Sequence, residues 1–178
     1  MATAKKKKRF FDVEIPLIGK ETQMQAYEVS ELDGKFVKYD LTRNLKGKSM
    51  VLISKISVRE DKADAIPRQL SLMGYFLRRM VRKGTNYVED SFVAECKDAK
   101  VKIKPFLITR RKVPRSIRKS LREKARGYLM EYLKGKNSRE VFDEIAGGQI
   151  QKALSQTLKK TYPLSLCEIR DFKIEDKG

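Results

Sequence analysis

The stretch TRRKVPRSIRKSLREKAR, Thr109 to Arg126, is where the chain changes from strand to helix. Just upstream, Val101 and Ile103 alternate with Lys100, Lys102 and Lys104, which is the period of a strand and puts the three lysines on one face. Pro114 then stands where the first turn of a helix tolerates proline, and Ile117, Leu121, Ala125, Tyr128 and Tyr132 follow at helical spacing. At about 100° per residue, Arg115, Arg118, Lys119, Arg122 and Arg126 gather within about 100° of one another on a different face. One side can pack while the other presents only cations. A helix built merely for solubility mixes signs, with Glu set to pair Lys or Arg at i,i+4. Between Thr109 and Arg126, Glu123 is the only acidic residue. At about 1.5 Å per residue the cationic stripe is about 16 Å long, enough to meet two or three successive phosphates.

Working outward, Phe10–Ile15 reads as a first strand stopped by Pro16, and Met24–Val29 with Lys35–Leu41 as a strand pair around Glu31-Leu32-Asp33-Gly34. Ser49–Arg59 is rich in β-branched residues, with its phase slipping near Lys55 as at a bulge. Asn86–Cys96 and Val101–Thr109 form a second pair, in which Pro105 implies an edge position or a bulge. Ser165–Ile174 is a last strand. Helices are expected over Ile66–Lys83 (capped by Asp64 and ended by Gly84), Pro114–Leu133, Ser138–Ala146 and Gln149–Lys160, the last two separated by Gly147-Gly148. The order predicts an α+β fold: about seven strands in a mostly antiparallel sheet that could close barrel-like, packed with about four helices. Residues 1–9 read as a flexible basic arm and 10–178 as a single domain, its helical part about 114–161 and its last strand about 165–174.

The 178 residues carry 41 Lys+Arg against 23 Asp+Glu, a net charge of +18, yet 40% are hydrophobic. That is enough apolar material for a core, so the charge calls for a polyanionic partner and not for disorder. No apolar run approaches the roughly 20 residues needed to span a bilayer, and the basic start lacks the apolar core of a signal peptide, so a cytoplasmic protein is expected. Cys96 and Cys167 belong to no metal or redox spacing and read as reduced thiols. The absence of histidine removes Ser-His and Cys-His machinery and the commonest general base.

Catalytic alternatives are poor. Gly47-Lys48-Ser49 resembles the end of a phosphate-binding loop, but Thr42 stands where that loop needs glycine and a strand follows instead of a helix. The acidic groups Glu60-Asp61-Asp64 and Glu140-Asp143-Glu144 could hold Mg²⁺, yet each adjoins an expected helix start, where carboxylates oppose the helix dipole. Arg78, Arg79, Arg82 and Lys83 end the expected first helix, where the same dipole favours cations. No enzyme, cofactor or metal site is therefore expected. The candidate RNA-binding residues are Lys5, Lys6, Lys7, Lys8 and Arg9 of the arm, Arg43, Lys46 and Lys48 of a turn, Arg110, Arg111 and Lys112, and Arg115, Arg118, Lys119, Arg122 and Arg126. No aromatic box accompanies them, and stacking of a base on Tyr39 or Tyr87 stays an open alternative that the pattern does not single out. The chemistry points to phosphates and RNA shape. A free-standing nucleic-acid-binding or chromatin-type protein would share this charge and is the alternative reading.

Several short elements, in order along the chain, resemble the small-subunit ribosomal protein family of archaea and eukaryotes called eS-one (older name S-three-a-e). They are Phe11-Asp12-Val13 through Pro16, Ile18-Gly19-Lys20, Gly34-Lys35-Phe36 through Asp40-Leu41, Thr109-Arg110-Arg111-Lys112 with its basic helix, Ile150-x-Lys152-x-Leu154 and Tyr162-Pro163-Leu164. The chain lacks the long extensions of eukaryotic members, so an archaeal-type short form is expected. The resemblance implies a structural protein on the platform of the small ribosomal subunit, near the mRNA exit. Its implied partners are small-subunit rRNA, including the region near its 3′ end, and neighbouring platform proteins, with mRNA or initiation factors passing close by.

Overall fold

The computed structural model describes residues 7–45, 47–60 and 62–175; Lys5, Lys6, Lys46 and Asp61 lie outside the described residues. Among the described residues, nine strands and four α-helices make an α+β fold with mostly antiparallel pairing. The chain divides into two compact units, residues 1–39 with 52–68, and residues 40–51 with 69–178.

The first unit contains β1 (Arg9–Ile15) and β2 (Lys20–Ala26), an antiparallel hairpin in which Phe11 faces Met24 and Val13 faces Thr22. The turn between them is closed by the Ile18 and Gly19 amides donating to the Ile15 carbonyl, with Gly19 at φ 59. The expected pairing around Glu31–Gly34 is therefore corrected. Val29–Leu32 is a 3-10 turn, and β3 (Phe36–Asp40) pairs with β4 (Met50–Arg59). Along β4, Met50, Leu52, Ser54 and Ile56 are all buried, so the phase does not slip near Lys55. Ser54 is a polar residue on the buried face.

The expected helix from Ile66 is also corrected. Lys62–Leu72 is a strand, β5, with Ala63, Ala65, Leu70 and Leu72 buried, and only Gly74–Met80 is helical (α1). Asp64 consequently caps nothing; it lies in β5 opposite Glu14 of β1, in parallel register. β4 and β5 each run from one unit into the other.

In the second unit β8 (Lys100–Thr109) is central. β6 (Tyr87–Glu89) and β7 (Phe92–Glu95) pair along one side and β9 (Leu164–Glu175) along the other, all antiparallel. Pro105 is thus not at an edge. Its register shifts, Lys104 facing Asp171 and Pro105 facing Ile169, so that Arg170 is the bulged residue opposite the missing proline N–H. Among the described residues the pairing order is β2-β1-β5-β9-β8-β6, with β3 on β4, β4 also on β5, and β7 on β8.

α2 (Arg115–Lys134) packs on β6, β7 and α4 (Gln149–Lys159), α3 (Ser138–Gly147) packs on α4, and α4 lies on β9. Their buried stripes repeat at helical spacing: Leu121, Ala125, Leu129 and Leu133 on α2, and Ile150, Leu154 and Leu158 on α4. Phe142 of α3 meets Phe172 of β9 edge-on, centroids 4.9 Å apart. Gly148, at φ 75, ends α3 and starts α4, a left-handed position that glycine adopts without the Cβ penalty.

Candidate nucleic-acid interface

The segment that delivers α2 is fixed before the helix begins. Thr109, fully buried at the end of β8, donates its amide to the Asn86 carbonyl at 2.9 Å. Its hydroxyl accepts the Asn86 amide at 3.0 Å and lies 2.7 Å from the Arg111 carbonyl. The Asn86 side chain in turn accepts the Val113 amide at 2.9 Å. These bonds satisfy backbone groups that a buried loop would otherwise leave unpaired, and they hold Arg110, Arg111 and Lys112 as an exposed run leading into α2.

With Leu121, Ala125, Leu129 and Leu133 turned inward, the opposite side of α2 carries the cations. Arg115, Arg118, Lys119 and Arg122 line one recess of about 380 Å³ together with Tyr87, Val88 and Ser116. No carboxylate lines it. Among the described residues, Arg115, Arg118 and Arg122 have no ion pair, and the half-buried Arg118 Nε has no acceptor. Lys119 has only a loose, exposed pairing with Glu123 at 3.8 Å. Arg126, one turn further on, lies over the buried ring of Phe92 at 5.4 Å, so it both covers the core and extends the stripe.

Other cations are committed elsewhere. Lys48 pairs with Glu168 at 2.5 Å, both side chains mostly covered. Lys104 pairs with Asp171 at 2.9 Å, and the Gln69 amide donates to the same carboxylate at 2.8 Å, so one of the three lysines on that face of β8 is committed within the fold. Arg170 pairs with Glu89 at 3.1 Å. Arg43 is exposed beside Asp40, whose carboxyl is held below its ordinary value by hydrogen bonds from the Thr42 hydroxyl and amide, with Arg43 adding to the effect. Lys7, Lys8 and Arg9 are exposed in the first unit, Lys8 lying 5.6 Å from the Tyr27 ring centre.

The acidic groups serve the fold. Glu140 accepts the Asn137 amide at the start of α3, and Glu144 accepts from Lys136 and, at 3.0 Å, from the Tyr132 hydroxyl. Among the described residues no cluster of three or more His, Cys, Asp or Glu could hold a metal. Gly47 sits in a turn at φ 87 that leads into β4 and meets no helix. No helix among the described residues is long and apolar enough to cross a membrane.

Comparison with known proteins matches residues 3–178 to the Ribosomal S3Ae family. The chain belongs to that family. It is 27% identical over 180 residues to the small ribosomal subunit protein eS1 of Nanoarchaeum equitans, spanning 97% of this chain and 91% of that protein. It is 34% identical over 95 residues to the protein of the same name from Methanothermobacter thermautotrophicus, spanning 53% and 49%. The corresponding Methanobrevibacter smithii protein is 30% identical over 100 residues, spanning 56% and 52%. As a Ribosomal S3Ae family member the chain is a ribosomal protein, a structural part of a ribonucleoprotein engaged in translation and not an enzyme. Periodicity alone found the cationic face of α2. It did not find Asn86, Thr109 or Tyr87, whose placement depends on β6 pairing with β8.

Proposed function

We propose that this small-subunit ribosomal protein lies on rRNA of the subunit platform, near the mRNA exit and the 3′ end of that RNA, with α2 along a phosphate backbone. The observation that carries the RNA contact is the trio Arg115, Arg118 and Arg122. Three guanidinium groups share a recess without a carboxylate, in a molecule where Lys48, Lys104, Lys136 and Arg170 each have one. Guanidinium forks match phosphate oxygens and are less strongly hydrated than ammonium, so they are well suited to a crowded RNA surface. Arg110, Arg111 and Lys112 extend the same track at its start, and Lys119 and Arg126 widen it. The basic arm through Arg9 adds further phosphate contacts with release of counterions. The platform location, with neighbouring proteins, mRNA and initiation factors close by, rests on the family resemblance.

The test is reversal of Arg115, Arg118 and Arg122 to Glu in the full chain. The triple variant is expected to keep its circular dichroism spectrum and melting temperature but to leave small subunits during a high-salt sedimentation wash. Retention equal to wild type would remove α2 from the RNA contact.

A further inference from the structure

We propose that Tyr87 is a stacking platform for one unpaired RNA base, a step that rests on the phosphate contact assigned to α2 and adds to it the class of RNA recognised. On the short strand β6 the residues alternate, Val88 turned into the core and Tyr87 outward. The Tyr87 ring lies over Phe106 with centroids 5.9 Å apart and planes 20° apart. The two belong to neighbouring strands and are diagonal across the ladder, since Tyr87 faces Ile108 and Phe106 faces Glu89. Phe106 is 3% exposed, whereas Tyr87 is 55% exposed. A core side chain thus supports an aromatic ring that remains open to solvent. Such a ring has already given up much of its rotamer freedom, so a flat ligand laid on it costs little further ordering.

The surroundings supply the other half of a single-strand site. Tyr87 lines the recess of Arg115, Arg118, Lys119 and Arg122, and it also lines a second recess of about 450 Å³ with Arg78 and Arg170. The second recess thus adds the cation of Arg78, while its Arg170 is already paired with Glu89. A strand whose base rests on Tyr87 meets positive charge before and after it, the combination of stacking surface and electrostatic track by which single strands are held. Bases inside a duplex are stacked on their neighbours and offer no free face, so the ligand is a loop, bulge or end. Asn86, the residue before it, ties this strand to Val113 and keeps the ring and the first turn of α2 in fixed relation.

Because the chain contains no tryptophan, Tyr87→Trp places a unique fluorophore at the site. Three probes are used with the full chain: a short single-stranded RNA, a blunt RNA duplex of matched charge, and inorganic polyphosphate. The single strand is expected to quench the fluorophore and polyphosphate to leave it unchanged. Tyr87→Ala is expected to weaken single-strand binding about tenfold, Tyr87→Phe to restore it, and neither to alter duplex binding. A Tyr87→Ala variant that binds single strands as wild type does, or that loses all three probes alike, overturns stacking. If reversal of Arg115, Arg118 and Arg122 leaves every probe bound, the phosphate reading itself fails, an outcome distinct from an indifferent Tyr87 on an intact charged track.

Discussion

Asp98 shows how a carboxylate serves the fold of a strongly cationic chain. It lies in the turn between β7 and β8 and accepts the Ser138 amide at 2.8 Å and the Ser138 hydroxyl, closing the start of α3 from outside the helix. Asn137 precedes the helix as its cap, and Ser138, its first residue as expected, is a buried partner of Asp98. Burial opposes the Asp98 charge, but hydrogen bonds from Ser138 and from the Asp98 and Ala99 amides outweigh it and hold the carboxyl below its ordinary value. A folded-state pKa below the unfolded one means that the unfolded chain binds the proton more readily. The contribution is therefore present above about pH 4 and fades as pH falls through the lowered value. Asp98→Ala should cost about 1–2 kcal/mol at neutral pH, read from urea midpoints, with the deficit shrinking below about pH 4. A deficit of equal size in acid would show that these bonds are not its source.

Among the elements, α2 separates its two tasks by face, and Gly127 belongs to neither. It is exposed in the helix interior, and a Cβ built there meets nothing within 4 Å. Gly127→Ala should raise stability by about 0.5–1 kcal/mol through lower unfolded-state entropy, leaving RNA affinity unchanged. A thermal melt with a parallel binding titration checks both. α2, α3 and α4 were legible in the sequence because Leu121, Ala125 and Leu129, then Val141 and Ile145, then Ile150, Leu154 and Leu158 repeat at one helical period, with Gly147-Gly148 marking the break. The segment 62–83 was not. Leu70, Met73, Phe76, Leu77 and Met80 fit a helix, whereas the buried positions of β5 alternate as Ala63, Ala65 and Pro67 and then slip by one to Leu70 and Leu72, and short apolar runs support either period. Tyr87 could be named from the sequence but not singled out from Tyr39, for a different reason. Its support by Phe106 depends on register between segments far apart in the chain, and local periodicity carries no register.

For the whole molecule, the net charge of +18 and the absence of histidine act together. Counterion release makes RNA affinity fall steeply with salt, roughly in proportion to the number of phosphates contacted. No side chain has an ordinary pKa near neutrality, so that affinity should change by less than about twofold between pH 6 and 8, measured by filter binding at constant ionic strength. A marked pH dependence would require a group that the composition does not supply. The cysteines give this cationic molecule an internal clock. Burial is the main cause that pushes the Cys96 thiol up to about 11, with Asp98 adding to it. Burial, with Glu168 behind it and Lys48 opposing, pushes Cys167 up to about 12. Both thiolate fractions are therefore low at neutral pH while the fold is closed, and only the thiolate reacts. Alkylation of these two positions consequently times the opening of the second unit, and slower alkylation on RNA-bound protein would measure how far the ribosome holds that unit shut.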